Sequence, residues 1–129
     1  MTAERLNELS GTVVDAAFDV HSAIGPGLLE SAYRACLVHE LRSRGIRVAT
    51  EVPLPIYYKG VTLETGYRMD LVVEDEIIVE LKSIAKLLDV HTAQLLSHLR
   101  LSNRRLGLLI NFNVPRLKYG LKRVVNNFQ

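Results

Sequence analysis

The chain has no tryptophan and only one cysteine among its 129 residues, so no intrachain disulfide can form and a packed core must hold the fold. No uninterrupted apolar run approaches the roughly 18 residues a membrane helix needs, and the first residues are polar and carry acids. The expectation is a cytoplasmic protein with no membrane segment. Internal repeats, low-complexity tracts and Pro/Gly/Ser linkers are also missing, so residues 1–129 read as one domain. At 48% hydrophobic and 23% charged, the composition is that of an ordinary globular protein. Collagen-like, mucin-like and wholly disordered chains are excluded. A domain near this size buries roughly 70% of the surface its unfolded chain exposes, enough for a core without staples.

Charge of one sign is scarce in each half. Residues 1–80 hold 13 acids and 7 bases, whereas residues 81–129 hold one acid and 9 bases. From Arg100 onward there are seven Lys or Arg and no Asp or Glu. Such a run suits a polyanion, and Arg104, Arg105, Lys122 and Arg123 are its candidate nucleic-acid contacts. A solvated surface balanced in space by the acidic half fits the same count.

Leu6, Leu9, Val13, Ala17, Val20 and Ile24 recur at spacings of three and four, the stripe of an amphipathic helix that ends at Gly25-Pro26-Gly27. A second helix is expected from Leu28 to about Arg44, with Tyr33, Leu37 and Leu41 on one stripe and Gly45 as its stop. From Ile46 the chain turns to Val, Ile, Tyr and Thr, and Pro53 and Pro55 place that strand near an edge. Lys59-Gly60 suits a turn. Val61 to Val73, the polar turn Glu74-Asp75-Glu76, and Ile77 to Lys82 read as a hairpin. A helix from about Asp89 to Leu101 and a buried strand from Leu106 to Phe112 follow, and the tail after Pro115 fits either strand or helix. The order is that of an α/β sandwich with a central mixed sheet flanked by helices.

Within I-I-V-E-L-K-S, strand alternation sends Ile77, Val79 and Leu81 to one face and Ile78, Glu80 and Lys82 to the other. Apolar residues on both faces imply burial on both, where an ionised Glu and Lys are costly. A three-residue turn centred on Asp75 would set Asp70 directly across from Glu80, with Cβ atoms about 5 Å apart. Two like charges so placed raise a pKa unless a cation lies between them. Carboxylate oxygens are the ligands Mg²⁺ prefers. A Glu80–Lys82 ion pair at an exposed strand end, with Asp70 a surface acid, explains the same residues without a metal.

Asp70 followed by Glu80-x-Lys82 resembles the PD-(D/E)xK nuclease superfamily, whose fold runs helix, three strands, helix, strand. Met69 stands where the signature has proline. G-L-L-E-S-A-Y from Gly27 to Tyr33 is similar to the motif naming the GxxExxY proteins, a branch of that superfamily, as are G-L-L-I-N-F (Gly107 to Phe112) and G-L-K-R-V (Gly120 to Val124). The resemblance covers nearly the whole chain. It implies a restriction-endonuclease-like fold and a metal-dependent phosphodiester hydrolase acting on DNA or RNA. Asp70, Glu80 and the Leu81 carbonyl would hold Mg²⁺ or Mn²⁺, and Lys82 would orient water or contact the scissile phosphate. It also implies a helix acid near the metal, here Glu30, and a phosphate- or water-orienting glutamine, here Gln94. RecB-type members carry a tyrosine four residues after that glutamine, where this chain has His98.

Several residues in and around these motifs have structural explanations as well. With Gly27 as N-cap, Glu30 would be the third helical residue and complete a capping box. Tyr33 reads as a packing residue with a bonded hydroxyl, Cys36 as a buried thiol, and His91 and His98 as polar groups rather than zinc ligands. Gly25-Pro26-Gly27 follows no strand and Pro26 lacks an N–H, so it is no dinucleotide fingerprint. His39-Glu40 lacks the second histidine of a zinc-protease helix, and no P-loop or G-x-S-x-G elbow is present. The rival to a nuclease is a catalytically inactive domain of the same fold that binds nucleic acid or a protein partner. Its small size makes a homodimer or protein partner plausible under either reading.

Overall fold

The computed structural model describes residues 1–128. Helix α1 (Ala3–Ile24) starts where the Thr2 hydroxyl accepts a hydrogen bond from the Arg5 N–H at 3.1 Å, and stops at Gly25, whose φ of +66° a side chain would resist. Helix α2 (Glu30–Ser43) follows, then strand β1 (Val48–Pro53) and a short hairpin of β2 (Ile56–Tyr58) and β3 (Val61–Leu63). Strands β4 (Arg68–Val73) and β5 (Ile77–Lys82) form a second hairpin, α3 (Asp89–Ser102) crosses over, and β6 (Leu106–Asn111) and β7 (Leu121–Val125) complete the chain.

Five strands form one sheet in the order β1-β4-β5-β6-β7, while β2 and β3 pair only with each other. The β5–β6 pair is parallel and the rest are antiparallel, as expected when α3 supplies the one helical crossover. Ile77, Val79 and Leu81 pack with Leu6, Val13 and Leu37 from α1 and α2, whereas Ile78, Leu109 and Val72 pack with Leu95 and Leu99 from α3. β5 is therefore buried on both faces, and the two prolines do place β1 at an edge.

Three expectations need correction, and one left open is resolved. α2 begins at Glu30 rather than Leu28, because Gly27 takes φ +97° and Leu29 becomes the N-cap. The Val61–Val73 strand is broken at residues 64–67, where Gly66 takes φ +78° and the β2–β3 hairpin separates from the main sheet. Cys36 is half-buried at the margin of the core rather than within it. The tail is a 3₁₀ turn (Leu117–Gly120) leading into β7. That turn approaches β6 so closely that a Cβ on Gly120 would stand 2.1 Å from the Asn111 carbonyl oxygen.

Candidate active site

The β4–β5 register is Leu71↔Val79, Val72↔Ile78 and Val73↔Ile77, set by the Glu74-Asp75-Glu76 turn in which Glu74 and Asp75 take positive φ. Continued one step, that register puts Asp70 opposite Glu80. The backbone ladder ends at Leu71↔Val79, and the Leu81 N–H donates instead to Asp70 Oδ2 at 2.9 Å. This bond fixes the Asp70 carboxylate beside β5. Phe112 N–H donates to the Lys82 carbonyl, so the Lys82 backbone faces β6 and, by strand alternation, that of Leu81 faces β4 and Asp70.

Glu80 is 9% exposed, a buried acid in a strand with apolar neighbours on both faces. Its Oε1 lies 3.2 Å from His98 Nδ1 on α3. Burial raises the Glu80 pKa most, the His98 hydrogen bond pulls it back, and the charge of Asp70 raises it further. Lys82 follows on the same face.

Glu30 approaches from the opposite layer. It is the first residue of α2 rather than the third, and Leu29 at the N-cap offers no side-chain bond, so the expected capping box does not form. The acid is half-buried, and its pKa is raised by burial and then by Asp70, against the opposing charges of Lys82 and Arg34. Tyr33, one turn on, is fully buried; its hydroxyl donates to the Gly25 carbonyl at 2.6 Å and accepts from the Leu28 N–H at 3.2 Å. Its ring stacks on Phe112 at 4.5 Å. The G-L-L-E-S-A-Y segment thus has a division of labour: the glycine allows the bend, the tyrosine ties down the loop, and the glutamate reaches the acids.

Glu30, Asp70, Glu80, Lys82 and Gln94 all line one pocket of about 200 Å³, together with His98, His91 and Arg68. Sequence reasoning passed over Arg68 and gave His91 and His98 no place in this wall. Arg68 lies two positions before Asp70 on the same strand, so the period of two was the signal that could have found it. His98 was left without a role, and only the pairing with Glu80 supplies one. His91 caps its own helix, accepting the Leu88 N–H at 2.9 Å on Nδ1.

Among the described residues no group of three or more His, Cys, Asp or Glu side chains is arranged to hold a metal ion. The donor set that remains is two acids plus a backbone oxygen, namely Asp70, Glu80 and the Leu81 carbonyl. Burial and then the charge of Asp70 raise the Glu80 pKa, and a divalent cation between the two acids would offset both, so the chemistry of the set fits one.

The four basic candidates do not gather beside the acids. Arg104 pairs with Asp75 at 2.7 Å and its side chain is only 17% exposed. Arg105 donates to the Met1 carbonyl. Both precede the end of β6 that pairs with Ile77, five residues or about 17 Å along the sheet from Lys82. Arg123 donates to Asn7 Oδ1 at 2.7 Å and lies over the Phe128 ring, on the α1 side. Lys122 alone shares the site's face, because Glu80 pairs with Leu109 and Leu109 with Lys122. The row puts it about 10 Å from Glu80.

No helix among the described residues is long and apolar enough to cross a membrane. No curated protein and no solved structure matches the chain. The family model of the PD-(D/E)XK nuclease superfamily does, over residues 7–124. That span contains every strand but the last residue of β7, and the five-stranded mixed sheet between helices is a restriction-endonuclease-like architecture. The acids that face one another across β4 and β5 therefore stand in a known frame: the chain belongs to the PD-(D/E)XK nuclease superfamily.

Proposed function

We propose that the protein is a metal-dependent phosphodiester hydrolase acting on nucleic acid, of the GxxExxY branch of its superfamily. The observation that carries this reading is the convergence of Asp70, Glu80, Lys82, Glu30 and Gln94, drawn from β4, β5, α2 and α3, on one open pocket. Asp70, Glu80 and the Leu81 carbonyl are the ligands of Mg²⁺ or Mn²⁺ in this proposal. When bound, such a cation lowers the pKa of water and offsets charge gathering on a phosphate. Lys82 presents its ammonium to the scissile phosphate or to the attacking water, held on the acids' face by β5. Glu30 accepts a hydrogen bond from water at the pocket's edge, and Gln94 offers an amide donor to a phosphate oxygen. Arg68, in the same wall, neutralises an adjoining phosphate.

The test is cleavage of single- and double-stranded DNA and RNA with Mg²⁺ or Mn²⁺, with Glu80→Ala as control. Cleavage that requires metal and Glu80 supports the reading. Nucleic-acid binding without cleavage under any of these conditions assigns the protein to the rival class, an inactive domain of this fold that binds nucleic acid or a protein.

A further inference from the structure

Beside the acid pocket, between the β2–β3 hairpin and the outer side of α3, runs a groove of about 530 Å³ lined by Ile56, Tyr67, Val90, Ala93, Ser97 and Leu101. Gln94 and His98 line both cavities, so the groove opens directly onto the acids. Its volume lies within the roughly 300–1,000 Å³ of sites that enclose a small organic group. Tyr67 is 56% exposed, with its ring 6.1 Å from the His98 imidazole. Cross-strand partners share a face, so the pairs Ile56↔Leu63 and Tyr58↔Val61 make one apolar face that continues the groove outward. Lys59 lies over the Tyr58 ring, and Arg68 follows Tyr67 in sequence and lines the acid pocket. The hairpin thus carries a cation over an aromatic ring, and the groove carries Tyr67 next in sequence to the Arg68 of the acid pocket.

We infer that this groove takes an unstacked base of single-stranded nucleic acid, with Tyr67 as the platform, and that the strand's next phosphate enters the acid pocket. The inference rests on the nuclease reading for the direction of the strand. Stacking on an aromatic face needs a base whose own face is free, which a single strand offers and a duplex does not. A duplex is read at base edges by Arg, Lys, Asn or Gln, and of these the groove holds only Gln94. The cations Arg68 and Lys59 and the opening onto a phosphate-sized pocket favour a polyanion over an apolar protein segment.

The experiment measures binding of the whole protein to a fluorescein-labelled mixed-sequence single strand and to the same sequence as a blunt duplex, in EDTA so that nothing is cut. The single strand is expected to bind about tenfold more tightly or better. Tyr67→Ala should weaken it by about tenfold, the effect of losing one stacked base, while Tyr67→Phe keeps the ring and the affinity. Ala93→Glu, which puts a negative charge in the groove, should weaken it too, with thermal unfolding used to show that both variants fold. Equal or tighter duplex binding, or no effect of Tyr67→Ala and Ala93→Glu, overturns the inference. So does a dimer dissolved by Tyr58→Asp with single-strand affinity unchanged, which would give the hairpin face to a second copy. Cleavage is scored separately: Tyr67-dependent binding without cleavage leaves the groove standing and removes the nuclease reading. Cleavage indifferent to Tyr67 and Ala93 does the reverse.

Discussion

Glu80 Oε1 and His98 Nδ1 lie 3.2 Å apart across the β5–α3 interface, joining a buried acid of the sheet to the helix that covers that face. The imidazole stands where RecB-type relatives are expected to carry a tyrosine. Either ring can donate to the carboxylate, the tyrosine through its hydroxyl and the histidine through a ring N–H.

His98→Ala removes the contact that pulls the Glu80 pKa down and leaves burial and Asp70 to push it up. Protons then compete better for the carboxylate, and metal binding needs deprotonated ligands. The Mn²⁺-induced rise in thermal stability should therefore set in at higher pH in the variant than in the native protein. An unchanged pH profile would show that His98 does no more than pack.

Tyr33→Phe keeps the stack on Phe112 and removes both hydrogen bonds that tie Gly25 and Leu28 to α2. The loss should be about 1–3 kcal/mol of stability, the sum of two part-buried hydrogen bonds worth about 0.5–1.5 kcal/mol each. Metal-dependent cleavage should fall with it, because the loop that is released delivers Glu30. If chemical denaturation shows a stable variant with native cleavage, the loop is held by something else, such as the bond from the Ser83 hydroxyl to the Leu28 carbonyl.

The register of the β4–β5 hairpin was legible because a three-residue turn between two apolar strands leaves one pairing, and that pairing alone brings Asp70 to Glu80. The α2 start was not legible: Gly27 has the chemistry of a cap, but it takes φ +97°, and bonds from the Tyr33 and Ser83 side chains hold the loop that runs on to Leu29. The basic run after Arg100 was legible as charge but not as a position in the fold. Charge along the chain says nothing of which sheet face or end a residue occupies, and antiparallel β7 scatters Lys122 and Arg123 to opposite faces.

The glycines of β6 and the following turn should fail in different degrees. A Cβ on Gly107 meets Leu95 side-chain atoms at 2.9 to 3.0 Å, so Gly107→Ala pushes on a flexible side chain of α3 and should cost about 1–3 kcal/mol. Because Leu95 also lines the acid pocket, cleavage should drop more than stability alone explains. Gly120→Ala meets the Asn111 carbonyl, which cannot step aside, and should be the worse of the two in expression and thermal unfolding.

Glu30→Gln tests the electrostatic strain directly. The folded-state pKa of Glu30 is raised, so this group favours folding at pH below its ordinary value of 4.5 and withdraws that support as pH climbs through the raised value. At neutral pH the ionised acid opposes the metal-free fold, and the neutral amide should stabilise it, by less than about 1 kcal/mol because the group is half exposed. The gain should shrink toward pH 4.5 and vanish below it. Equal stability of the two proteins across that range would mean that Lys82 and Arg34 already balance the acid.

The metal separates Lys82 from Glu80. Lys82→Ala removes a positive charge from the acids' face, so Mn²⁺ should bind at least as tightly, and the ion should still raise thermal stability by mass action. Cleavage should nevertheless be lost if the ammonium orients water or phosphate. Glu80→Ala removes a ligand and should lose both the Mn²⁺ shift and cleavage, with Mn²⁺ shifting the native protein more than Mg²⁺ does, following the usual affinity order. The two variants then fail in distinguishable ways, one without chemistry and one without metal. If millimolar Mn²⁺ leaves the native protein's unfolding temperature unchanged and no nucleic acid is cut, the acids hold no ion. Asp70 would then serve the fold through its bond to the Leu81 N–H, and Glu80 through its bond to His98.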